Sequence, residues 1–190
     1  MSCRLEYRRG IDLLIGIIPL ICSKHPEVDF IIIGDGPYRV KIEEIIERHF
    51  LTDRVHMMGM VKHAHVPSVL NEADIFLNTA LTEAFCIAIV EAVRMGLLVI
   101  STDVGGVPEV LPDVLATLAK PEVTDLFQKL DSTIIRFKNK ECLPREEITK
   151  IGMTKYNWKD IGEKTVNVYR FVFICNLGHF AANRSSSDLG

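Results

Sequence analysis

Short runs of β-branched and aliphatic residues recur along this chain. Each is ended by glycine or a polar turn and followed by a helical pattern, and that alternation restricts what the chain can become. Val28-Asp-Phe-Ile-Ile-Ile33 is closed by Gly34-Asp-Gly36, and Pro37 then stands where a helix begins. Such a run has almost no polar face, the mark of a parallel strand covered on both sides. Proline in a first helical turn forfeits no hydrogen bond. The same spacing predicts further strands over Arg54–Met58, Asp74–Asn78, Leu97–Ser101 and Leu115–Ala119. Helices are predicted over Ile11–Cys22, from Pro37 to about His49, over Val66–Ala73, from Ala84 to Met95, and then over Val123–Phe137, Glu146–Lys155 and Trp158–Tyr169. At least four β–α units in series specify an α/β fold, a doubly wound Rossmann-like parallel sheet. From about Phe171 the periodicity is lost, so residues 171–190 read as a tail on a domain covering 1–170.

The 190 residues suffice for one domain with a real core. A net charge of −3 gives no large drive toward nucleic acid or anionic lipid. Five cysteines, an odd number with no C-x-x-C pair, suit free thiols in a reducing compartment and argue against a thiolate zinc site. The start Met-Ser-Cys-Arg has no apolar leader, and the longest apolar stretches are too short or interrupted to span a bilayer, so the chain as given reads as soluble.

Two glutamates bracket seven mostly apolar residues, Glu83-Ala-Phe-Cys-Ile-Ala-Ile-Val-Glu91. A carboxylate inside an apolar helix needs a partner. Eight helical residues would set the two acids about 12 Å apart and roughly 80° around the axis, so they would touch two separate parts of one long polar ligand. Strand-like Ile75–Asn78 and the turn at 79–82 put Glu83 at the ligand edge of an open α/β sheet. Helix-dipole compensation by Glu83 and an i, i+3 pair between Glu91 and Arg94 are the structural alternatives. Arg4, Arg8 and Arg9 cluster early, and two of them could clamp a diphosphate. Gly34-Asp-Gly36 lacks the third glycine of a dinucleotide fingerprint and fits a tight strand-to-helix turn. Gly105-Gly106 permits close backbone approach, to a ligand or to another loop. His63 and His65 lack nearby acids or thiols, so no metal site is expected. There is no G-x-S-x-G elbow, no Walker loop and no Asp-x-Asp.

Taken in order, Arg4, Arg9-Gly10, Gly34-Asp-Gly-Pro37, Met58-Gly59, Glu83 with Glu91, and Gly105-Gly106-Val-Pro-Glu109 resemble the donor-binding half of a GT-B retaining glycosyltransferase of family 4, over roughly residues 4–170. Within that family the likeness is to the members that transfer N-acetylglucosamine from UDP-GlcNAc to phosphatidylinositol, the first step of GPI-anchor synthesis. It is carried by Arg4-Leu-x-Tyr-Arg-x-Gly-Ile-Asp-Leu-Leu14, by Phe76-Leu-Asn-Thr79 with Leu81-Thr-Glu-Ala-Phe-Cys86, and by Ser101-Thr-x-Val-Gly-Gly106 with Pro108-Glu-Val-Leu-Pro112.

The resemblance implies roles by position. Arg4 and Arg9 would bind the diphosphate, Arg9 standing where the family usually has lysine. Glu83 would face the sugar hydroxyls and Glu91 the ribose. Phe85, Cys86 and Ile87 would offer backbone amides, and Gly59–Met60 would lie against the uracil. It further implies that no metal or other cofactor is used and that the site works at the cytosolic face of the endoplasmic reticulum within a multi-subunit GPI-GlcNAc transferase complex. In the family an acceptor domain and the first strand of the donor domain precede Arg4. On that footing the isolated chain is expected to be inactive, and the rival reading is a non-catalytic UDP-sugar-binding or regulatory fragment of the same complex.

Overall fold

The computed structural model describes residues 4–157 and 159–171. Five strands form: β1 (Phe30–Ile33), β2 (Val55–Gly59), β3 (Ile75–Asn78), β4 (Leu98–Thr102) and β5 (Ala116–Ala119). Seven helices accompany them: α1 (Ile11–Lys24), α2 (Arg39–Arg48), α3 (Val66–Asn71), α4 (Ile87–Arg94), α5 (Val107–Val110), α6 (Val123–Lys138) and α7 (Arg145–Lys155). Residues 159–171 are also helical, with Asn157 Oδ1 accepting from the Asp160 amide at 2.9 Å as a cap. One compact unit ends at Gly152 and a second begins at Met153. The site described below lies wholly in the first. The expected tail beyond Phe171 falls outside the described residues.

All strand pairs are parallel, β1 with β2 and β3 with β4 with β5. One expectation is corrected here: among the described residues the strands make two sheets of two and three strands, not one continuous sheet. A common core nonetheless underlies both. Leu14, Ile17, Ile18 and Ile21 of α1 are fully buried in one cluster with Ile32 of β1, Leu77 of β3, Ile100 of β4 and Leu126 of α6. Each such side chain contributes about 1.5–3 kcal/mol relative to exposure. Strand side chains alternate between faces. Leu77 and Ile100 therefore meet α1 and α6, and Phe76 and Val99 face away from that cluster, toward the side where α4 packs on β3 and β4. Helices on both faces make the fold doubly wound.

Between β1 and β3 lies a cavity of about 530 Å³. Its walls include Phe30, Ile31, Ile75 and Leu77, with Leu14, Leu130 and Ile134 from the helices. It opens among residues at the starts of β1 and β3, the end of the sheets opposite to Glu83. It is therefore a packing feature of the divided sheet and not the ligand edge.

Candidate functional site

The C-terminal ends of the strands carry the chemistry. The chain reaches them first through Arg4–Gly10. The Leu5 amide donates to the Asp35 carbonyl just past β1 (2.9 Å), and Tyr7–Arg9 make a single 3-10 turn. Past β3, the Leu81 amide donates to the Arg8 carbonyl (2.9 Å) and the Thr79 hydroxyl donates to the Arg9 carbonyl (2.9 Å). One short segment therefore ties the ends of β1 and β3 together. Gly10 makes this possible. Its φ is +63°, and a Cβ there would sit 1.7 Å from the Thr79 carbonyl oxygen.

That anchoring brings Arg9 to Glu83. An Nη1 of Arg9 donates to Glu83 Oε2 in an ion pair between side chains that are 34% and 15% exposed. The second oxygen, Oε1, accepts from the Ala84 amide at 3.1 Å. Both carboxylate oxygens are thus engaged, and removing either partner of the pair would leave the other charge uncompensated. Gly105 and Gly106 approach closely, but to protein. The Gly106 amide donates to the Glu83 carbonyl at 3.0 Å, and a Cβ on Gly105 or Gly106 would fall 2.1 or 2.0 Å from the carbonyl oxygens of Glu83 and Ala84.

The other expected residues are placed as follows. Arg4 is not in the ion pair; it is 75% exposed and reaches Glu6, 3.9 Å away, which also holds Arg8 at 3.3 Å. The helix after Glu83 begins at Ile87, not Ala84, so the helical spacing argued for Glu83 and Glu91 is corrected. Glu83 sits on the loop before Cys86, the N-cap. The helix is also less buried than its composition implies. Ile89, Ala92 and Val93 face the core, while Ile87 is 67% exposed and Phe85 is also exposed. Cys86 has a left-handed backbone with φ 58°, unusual for a residue with a side chain. Burial pushes its thiol pKa up, against the pull of the Ile89 and Ala88 amides. Glu91, on α4, lies 3.9 Å from His63 Nε2, and so toward the loop after β2. Gly59 closes β2 with φ +65°, and Met60 beyond it is strongly exposed.

Sequence reasoning missed the polar layer beneath the pair. Asn78 Nδ2 donates to Ser101 Oγ at 2.8 Å, across partners in register on β3 and β4. Thr102 Oγ1 donates to the Ala80 carbonyl. Thr79, Ser101 and Thr102 are fully buried and Asn78 nearly so. Its signal was present: two apolar strands each end on a polar pair, Asn78-Thr79 and Ser101-Thr102, at matching positions.

A family model described as glycosyl transferases, group 1, matches residues 1–141. A human protein named as one of the subunits of phosphatidylinositol N-acetylglucosaminyltransferase is 50% identical over 87% of this chain and 34% of its own length. The gpi3 subunit of the Schizosaccharomyces pombe enzyme is 46% identical over 87% of this chain and 36% of its own. The chain thus spans about a third of the length of these relatives. Among solved structures, Anabaena Alr3699/HepE in complex with UDP superposes with a TM-score of 0.76 at 23% identity, over 89% of this chain and 47% of that one. The pneumococcal O-GlcNAc transferase GtfA in complex with UDP and GlcNAc gives 0.74 at 22% identity, over 90% and 35%. These likenesses establish the GT-B type of α/β fold.

Proposed function

The chain belongs to the group 1 glycosyl transferases, and on that footing we propose that residues 4–152 hold the nucleotide-sugar donor of an N-acetylglucosaminyltransferase, with UDP-GlcNAc as donor and phosphatidylinositol as acceptor. The observation that carries this reading is the Arg9–Glu83 pair, a cation and an anion held at the ligand edge of a parallel sheet. The names of the relatives and the UDP and GlcNAc bound by the solved neighbours support the choice of ligand. UDP-GlcNAc presents both counterparts. Its diphosphate suits the Arg9 guanidinium, which can engage two oxygens at once, and its sugar hydroxyls suit the Glu83 carboxylate. Arg4 adds positive charge from the same segment. Glu91 takes the ribose hydroxyls and the Gly59–Met60 turn lies against the uracil. The backbone around Phe85, Cys86 and Ile87 faces the diphosphate.

In the transfer, the bond between the anomeric carbon and the diphosphate oxygen breaks while an inositol hydroxyl oxygen bonds to the same face of the sugar. The hydroxyl proton passes to the departing phosphate oxygen, so configuration is retained and no protein base is required. Arg9 offsets the charge that grows on the leaving group, a stabilisation aimed at the transition state. With that cation supplied by the protein, we propose that a divalent metal is not required. The setting proposed is the cytosolic face of the endoplasmic reticulum, within a complex whose other members complete the acceptor side. Among the described residues no helix is long and apolar enough to cross a membrane.

Calorimetry in EDTA tests the donor site. UDP and UDP-GlcNAc should both bind, and Arg9→Ala should weaken both by about 10- to 100-fold, the worth of a charge-assisted hydrogen bond. Glu83→Gln should weaken UDP-GlcNAc more than UDP. An absolute requirement for manganese or magnesium, or equal loss of the two ligands in Glu83→Gln, would overturn the assignment.

A further inference from the structure

We propose that Thr79 is a positioning residue for the diphosphate-binding cation, its buried hydroxyl aiming Arg9 by fixing the backbone that carries it. The proposal rests on the donor-site reading above. Thr79 follows β3 directly, is fully buried, and donates from Oγ1 to the Arg9 carbonyl at 2.9 Å across 70 residues of sequence. Two neighbouring contacts act on the same joint. The Leu81 amide donates to the Arg8 carbonyl at 2.9 Å, and Gly10 lies directly against the Thr79 carbonyl. On its far side the loop is tied to β4 by the Thr102 hydroxyl at the Ala80 carbonyl. Arg9 and Glu83 thus stand on two segments clamped together, at Arg8 and Arg9 on one and at Thr79 and Leu81 on the other. Arginine is a long side chain that loses much rotamer freedom when ordered. Fixing its backbone carbonyl sets where the side chain starts, and the ion pair with Glu83 then orders its 34% exposed far end.

The Thr79 hydroxyl donates to the backbone carbonyl of Arg9 and not to its guanidinium. Its removal should therefore be felt by the diphosphate alone. Valine keeps the shape of threonine and deletes only the hydroxyl, while serine keeps the hydroxyl and deletes the methyl.

The experiment compares UDP with uridine, which has no phosphate, on the whole 190-residue chain carrying Thr79→Val, Thr79→Ser or no change. Calorimetry reads UDP, ligand-observed NMR reads uridine, and urea unfolding reads stability. Thr79→Val should lose about three- to tenfold in UDP affinity, the range of one net hydrogen bond, with uridine unchanged and Thr79→Ser close to wild type. Adding Thr79→Val to Arg9→Ala should cost nothing further, because the residue it positions is gone. Thr79→Ala serves the same comparison if the valine variant does not fold. Unchanged UDP affinity, a parallel fall in UDP and uridine, or additive losses with Arg9→Ala would each refute the positioning role. Those outcomes leave the donor site standing. If the wild type binds no UDP, or Arg9→Ala binds it normally, the donor-site reading fails, and this inference with it.

Discussion

Gly10 and Gly59 have nearly the same left-handed backbone, φ +63° and +65°, but very different surroundings, and replacing each by alanine separates conformational cost from packing cost. An L-residue in this region costs about 1–2 kcal/mol. Alanine recovers about 0.4–1 kcal/mol by restricting the unfolded chain. At Gly59 the new methyl meets only Arg39 Nη1 at 3.6 Å, so the net loss should be about 1 kcal/mol. At Gly10 the methyl would stand 1.7 Å from the Thr79 carbonyl oxygen, where real contacts stay beyond 3.0 Å, so the loops must part by more than 1 Å. That movement breaks the Thr79–Arg9 and Leu81–Arg8 hydrogen bonds, worth about 0.5–1.5 kcal/mol each. Gly10→Ala should therefore be destabilised by about 1–3 kcal/mol more than Gly59→Ala, a large share of a typical total of about 5–15 kcal/mol. Urea unfolding with a common slope measures the difference. Equal losses in the two variants would refute the idea that close packing on Thr79 holds the joint.

Three further outcomes are expected. Cys86→Gly should raise stability by about 0.5 kcal/mol or more in thermal or urea unfolding, because φ 58° suits glycine better than cysteine; a loss would show that the thiol's packing outweighs its backbone strain. Ser101→Ala leaves the buried Asn78 amide without its 2.8 Å acceptor and should cost about 1–3 kcal/mol, read by urea unfolding. The Asp131 carboxyl is held below its ordinary value of 3.8, first by its hydrogen bond from Lys24, then, against the opposing pull of desolvation, by His25. Its stabilisation is thus complete above that value and lost as pH falls through the lower folded value. Asp131→Asn should therefore weaken the fold near neutrality and flatten the loss below about pH 4, measured as urea midpoints against pH.

The strands were legible because each is an apolar run too short for a helix and closed by a turn. β1, β3 and β5 fall within residues that the pattern marks, and β2 and β4 each run one residue further, to Gly59 and Thr102. Helix α1 continues through Pro19 to Lys24, two residues past the expected end, since burying Ile17, Ile18 and Ile21 outweighs the hydrogen bond that proline removes. Helix α4 starts three residues later than its composition suggests. The loop at Glu83 is held by contacts to Arg9 and Gly106 that no local pattern encodes. The break between β1 and β3 was not readable from periodicity either, because alternation specifies strands and not which strands are neighbours. Arg9 and Glu83 were each marked in the sequence, and the structure joins them. Arg4 was marked on the same grounds but pairs with Glu6, since proximity in sequence does not decide where a long, exposed side chain points.

The glycines of this site bring protein to protein. Gly10 meets the Thr79 carbonyl, and Gly105 and Gly106 meet the carbonyls of Glu83 and Ala84. Three loops, from the ends of different elements, therefore touch backbone to backbone around one ion pair, and a Cβ at any of the three glycines would wedge them apart. A transferase that works by orientation is sensitive to such a wedge: misplacement of about 1 Å can cost 100-fold in rate, even from a residue remote from the reacting atoms. Gly106→Ala should accordingly weaken UDP-GlcNAc binding by displacing Glu83, although nothing at position 106 need touch the ligand and the Gly106 amide is already committed to the Glu83 carbonyl. Titration of UDP-GlcNAc against UDP on this variant decides the matter. A selective loss of the sugar-dependent part of the affinity fits a displaced carboxylate. A loss shared equally by UDP would mean that the glycine pair approaches the diphosphate itself, and the loop-packing role assigned to it would be wrong.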